Sequence, residues 1–76
     1  MITREELGLK ITETTQVMAD GYRLAISQFQ TEAEQDSNEK CAIAVSNAGY
    51  FILQSLGFSH EEIKALFEGY RNRDAA

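Results

Sequence analysis

The stretch Leu56-Gly57-Phe58-Ser59-His60-Glu61-Glu62-Ile63 decides the fold. Gly57 suits the left-handed residue that ends a helix, because it has no Cβ to clash there. Ser59, followed three residues later by Glu62, is a capping box, so a new helix starts at once. Phe58 lies between the two, placed to touch Leu53 behind it and Ile63 ahead. Two helices are therefore expected to meet at a fixed angle. Gly57, Phe58, Ser59, Glu62 and Ile63 form the structural turn, with Phe58 as its wedge.

Back from the turn, helix 2 is expected over about 37–56, capped by Asp36 or Ser37, with Asp36 and Glu39 as a capping box. Its main apolar stripe is Cys41, Val45, Ala48, Ile52 and Leu56. Ile43, Tyr50, Phe51 and Leu53 point elsewhere, so this helix is apolar nearly all round and needs burial on several sides. Gly49, with Ala48 and Ala44, makes a patch of small residues that permits close helix approach. Core packing is the first reading of that patch, and a groove for a partner helix is the second. Forward from the turn, helix 3 is expected over about 60–69 with Ile63, Leu66, Phe67 and Tyr70 facing inward. Gly69 is expected to end it, Arg71 and Arg73 complement its C-terminal dipole, and Asp74-Ala75-Ala76 should fray.

The N-terminal part reads as one long helix over about 3–35, started by a Thr3/Glu6 capping box. Its stripe is Leu7, Ile11, Thr14, Met18, Tyr22, Ala25, Phe29 and Ala33. That 11-residue repeat, about 3.67 residues per turn, belongs to a nearly straight helix of roughly 50 Å. Asp20-Gly21 is a turn pair, so a kink near Gly21 is the alternative. No proline occurs, and no stretch alternates as a strand would. The expected fold is all-α: a single domain over residues 1–76, with helix 2 folded back along helix 1 and helix 3 crossing at the turn.

A chain of 76 residues buries only roughly 60–65% of its unfolded surface, so it needs reinforcement. Cys41 is the sole cysteine and His60 the sole histidine, which excludes an intrachain disulfide and a Cys/His zinc site. Self-association is what is left. A homodimer with a four-helix core would cover both the excess of helix 1 and the all-round apolar helix 2. The candidate interface is Val17, Tyr22, Leu24, Ile26, Ile43, Tyr50, Phe51 and Leu53.

Twelve acidic residues against seven basic give a net charge of −5, which repels nucleic-acid phosphates and anionic lipid. No apolar run reaches 18 residues, and residues 1–6 do not read as a signal peptide. With a free thiol, a cytoplasmic location is expected. Cys41 falls on an apolar stripe and reads as a buried structural thiol. His60 falls at the first position of helix 3 and reads as an exposed residue with no task. Glu5-Glu6 and Glu61-Glu62 complement helix dipoles, and Glu32, Glu34 and Asp36 form a solvated acidic corner. There is no glycine-rich phosphate loop and no triad pattern. Catalysis, cofactors, metals and a membrane are not expected.

The turn also has the spacing of a glycine, then an apolar residue, then an aliphatic six residues after the glycine: Gly57, Phe58, Ile63, with Leu66 at the next core position. That spacing resembles a DNA-reading helix-turn-helix, and the Gly-Phe-Ser-x-Glu-Glu-Ile run loosely resembles MerR-type regulators. The resemblance covers about 17 residues and implies DNA binding through residues 50–68. It departs at Leu53, where a small residue is normal, and in a recognition helix that presents Glu61, Glu62 and Glu68. The leading expectation is a non-catalytic module that binds an unidentified protein partner. The alternatives are a DNA-binding regulator and an acidic nucleic-acid mimic.

Overall fold

The computed structural model describes residues 1–28 and 31–73, in three helices: α1 (Arg4–Ile26), α2 (Glu32–Ser55) and α3 (His60–Arg73). α2 folds back along α1, which is the main packing interface, and α3 crosses both at the Gly57 turn.

The turn is built as its sequence predicts. Gly57 has φ +93°. The Phe58 N–H donates to the Leu53 carbonyl and the Gly57 N–H to the Gln54 carbonyl, each at 3.1 Å, which closes a Schellman motif. The capping box is reciprocal: Glu62 N–H to Ser59 Oγ at 3.1 Å, Ser59 N–H to Glu62 Oε1 at 3.0 Å. Leu53, Phe58 and Ile63 form the buried apolar cluster, with Ile11, Tyr50, Leu66 and Phe67 packed around it.

Two residues of α1 complete this corner. A Cβ on Gly8 would lie 2.8 and 2.9 Å from Phe58 ring atoms and 3.2 Å from Leu66, so Gly8 is the seat of the wedge. Arg4 closes it from outside. Its guanidinium stacks over the Phe58 ring at 4.0 Å, donates to Glu62 Oε2 at 2.6 Å, and reaches the Gly57 carbonyl at 3.1 Å. Arg4, with the Ser59 N–H, holds the Glu62 carboxyl well below its usual range, to about 2.

Helix boundaries differ from expectation in three places. α1 does not continue to residue 35. It ends at Ile26, where both the backbone N–H and the hydroxyl of Ser27 turn back to the Leu24 carbonyl. α2 starts at Glu32, five residues early, because Thr31 is the cap: its Oγ1 accepts from the Glu34 N–H at 3.3 Å and donates to Glu34 Oε1 at 3.1 Å. Asp36, expected as a cap, lies within α2 and pairs with Lys40 one turn on. α3 runs through Gly69 to Arg73, because Tyr70 and Arg73 are gripped by Asp20 and Glu13 of α1 at 2.7 and 2.6 Å. There is no break at Gly21. Phe29 of the expected stripe, and the Asp74-Ala75-Ala76 tail, lie outside the described residues.

The α1–α2 seam is made of small and polar side chains. Thr12 and Ala19 are fully buried on α1, Thr15 and Gln16 nearly so, and Ala42 is buried on α2. A Cβ on Gly49 would collide with Thr15, so the helices touch at that pair. The hydroxyls can be buried because each donates within its own helix: Thr12 to the Gly8 carbonyl at 2.8 Å, Thr15 to that of Ile11 at 2.9 Å. Gln16 Nε2 donates across the seam to Ser46 Oγ at 3.2 Å.

Candidate functional site

A helix with 3.6 residues per turn shows one row to each neighbour. On α1 the row Thr12, Thr15, Ala19 faces α2, while Gly8, one turn earlier, meets Phe58 and Leu66. A second row, Glu13 to Asp20, is held by α3 through Arg73 and Tyr70. The expected apolar stripe is neither of these. Leu7, Ile11, Thr14, Met18, Tyr22 and Ala25 run about a quarter turn around from the seam, on the side away from α3. The stripe of α2 is displaced in the same sense, since Ala42, Gly49 and Leu53 are its buried residues while Ala48, Ile52 and Leu56 are exposed.

Both stripes therefore lie side by side on one outer face of the hairpin. Ile52 joins Ile11 and Thr14 around one shallow groove there, with Lys10 at its edge. Met18, Gly21, Tyr22 and Ala25 line a second groove with Asn38 of α2. Met18 is 51% exposed and Ile52 45%. Cys41 and Val45 are half-buried on the same face. The two rows carry no ionisable side chain except Cys41 and Tyr22.

The eight residues expected at an interface are not brought together. Leu53 is fully buried in the turn cluster and cannot meet another chain, because it makes the Schellman contact with Phe58. Tyr22, Ile26 and Tyr50 are half-buried. Tyr50 packs on the turn cluster, with its hydroxyl 3.1 Å from His60 Nδ1. Val17 and Leu24 are open, but on the flank of α1 that continues the Glu13–Asp20 row. Ile43 and Phe51 are open on α2. Met18 and Ile52, expected on the main apolar stripes of α1 and α2, stand half exposed on the outer face. Their 3–4 spacing is visible in the sequence, but its direction is not.

The remaining chemistry is dispersed. The carboxylates that meet between α1 and α3 are each held by an arginine or tyrosine: Glu62 by Arg4, Glu13 by Arg73, Asp20 by Arg23 and Tyr70. A polar cleft of about 510 Å³ opens where the three helices meet, lined by Gln16, Asp20, Arg23, Ser46, Tyr70 and Arg71 among others. Among the described residues no three His, Cys, Asp or Glu side chains are grouped to hold a metal ion, and no helix is long and apolar enough to cross a membrane. Comparison with protein-family models, with curated proteins and with solved structures finds no match to this chain.

Proposed function

We propose that the chain is a non-catalytic interaction module, which works by burying the outer face of the α1–α2 hairpin against another protein chain. One observation carries this reading. Large apolar side chains such as Met18 and Ile52 stand half exposed, while the seam between the same two helices is filled by Thr12, Thr15, Ala19, Ala42 and Gly49. A folded chain gains most by placing its apolar side chains inside, so a helix pair with its larger apolar rows outside is suited to bury them elsewhere. The sole cysteine, half-buried on that face, agrees with a cytoplasmic setting.

Readings that involve nucleic acid draw less support. Of the two arginines at the end of α3, Arg73 is engaged by Glu13, and the carboxylates between α1 and α3 alternate with arginines in place of an unbroken acidic face. The test is a photoreactive residue placed at Met18 in the native host, with the exposed Glu68 of α3 as the reference position. Defined protein adducts from position 18, absent from position 68, are expected. Equal, diffuse labelling from both would contradict the proposal.

A further inference from the structure

We propose that the occupant of the outer α1–α2 face is a second copy of this chain, the two hairpins packing face to face about a two-fold axis into a four-helix core. This rests on the reading of that face as the interaction surface.

Three observations point to a second copy. First, the surface area matches. A compact monomer of 8.5 kDa exposes about 4,650 Å², whereas this chain exposes 5443 Å². The excess, about 800 Å² summed over the whole surface, is of the order of the share one partner contributes to a standard-size protein interface. Second, the face has that size by its own geometry. α1 and α2 have 23 and 24 residues, so each is about 35 Å long, and two adjacent helices present a strip about 20 Å wide. That strip covers about 700 Å². Third, the face itself adds no like-charge repulsion against a second copy. Two chains of net charge −5 repel one another, and the rows Ile11, Thr14, Met18 and Ala48, Ile52 carry no charged side chain. The outer face is thus where two acidic copies can approach without placing like charges opposite each other. An apolar patch of this kind is self-complementary under two-fold symmetry, because each copy offers the other the same rows.

Sedimentation equilibrium of the full chain at 20 µM tests the proposal. The wild type is expected to sediment at about 17 kDa, twice the chain mass. Met18→Glu with Ile52→Glu should weaken self-association at least a hundredfold and give the monomer mass, with helical circular dichroism retained. Leu24→Glu, on the other flank of α1, should leave the dimer intact.

A wild type that stays monomeric to 200 µM would overturn the second copy, while crosslinks from position 18 to a different protein would leave the interaction reading standing. A dimer broken by Leu24→Glu but not by the paired substitution would overturn this face. If the glutamates unfold the chain, a soluble gadolinium chelate reads the wild type directly. Relaxation of the Met18 and Ile52 methyl groups several-fold below that of Leu24 supports the proposal, and equal relaxation overturns it.

Discussion

Removal of the Phe58 ring tests the corner that orients α3. The side chain is 6% exposed, wedged between Leu53 and Ile63, seated on Gly8 and covered by the Arg4 guanidinium. Truncation of a buried phenylalanine to alanine costs about 3–5 kcal/mol, from lost transfer energy and the cavity left behind. Arg4 can relax inward over part of that cavity, so the lower end, about 3 kcal/mol, is expected for Phe58→Ala. The whole stability of a chain this size is roughly 4–11 kcal/mol, so this one side chain would remove a large share of it. Urea unfolding followed by helical circular dichroism, at one fixed protein concentration, measures the change. Gly8→Ala supplies the second arm. Its methyl must push aside a ring 2.8 Å away, which costs about 1–3 kcal/mol in the wild type. In the Phe58→Ala background the ring is gone and only the Leu66 methyl, 3.2 Å away, must give, so the helix preference for alanine, up to about 1 kcal/mol, offsets most or all of the cost. The two substitutions should couple by at least about 1 kcal/mol. A Phe58→Ala loss below about 0.5 kcal/mol, or a strictly additive pair, would refute the wedge.

Three further outcomes follow from the same geometry. Gly49→Ala should destabilise by about 1–3 kcal/mol in urea unfolding, because the new methyl meets Thr15 across the tightest point of the seam. Gly69→Ala should stabilise by about 0.5–1 kcal/mol, since α3 runs through this position and nothing lies within 4 Å of the added carbon; a loss would mean the helix needs a glycine there. Glu62 has its folded pKa depressed from 4.5 to about 2 by Arg4 and the Ser59 N–H, so its contribution is present above the unfolded pKa and lost as pH falls through that window. Melting temperatures should therefore drop between pH 4.5 and 2 by less in Glu62→Gln than in the wild type, and parallel curves would count against the Arg4–Glu62 clamp.

The turn was legible because its signals are local. Gly57, Ser59 and Glu62 act within four residues of one another, and Phe58 meets Leu53 and Ile63 at fixed offsets. Arg4 and Gly8 belong to the same corner but lie about fifty residues away, where no short-range pattern reaches. The first helix boundary was misplaced because Thr31/Glu34 and Asp36/Glu39 are equally good capping boxes on paper. The expected stripe of the first helix runs past Thr31 to Ala33, and only the structure selects Thr31.

The seam is a different case. Periodicity weights large apolar residues, whereas α1 and α2 meet through Thr12, Thr15, Ala19 and Gly49, residues chosen for small size and hydroxyls that bond within their own helix. Gly49 was read as a point of close approach, and the seam bears this out. Its companions Ala44 and Ala48 face outward. The all-round apolar character of α2 was visible from sequence. Which of its faces is spent inside the chain depends on α1, and becomes clear only once Thr15 is seen against Gly49.

The direct measurement is an isotope-filtered nuclear Overhauser experiment on an equal mixture of carbon-13-labelled and unlabelled chains. If the outer hairpin face is buried against a second copy, the labelled Met18 and Ile52 methyl groups will show intermolecular contacts to protons of Ile11, Thr14, Val45 or Ala48, and the Leu24 methyl groups will show none. A sample of the same mixture that gives no intermolecular contact from Met18 or Ile52 at millimolar concentration would contradict it.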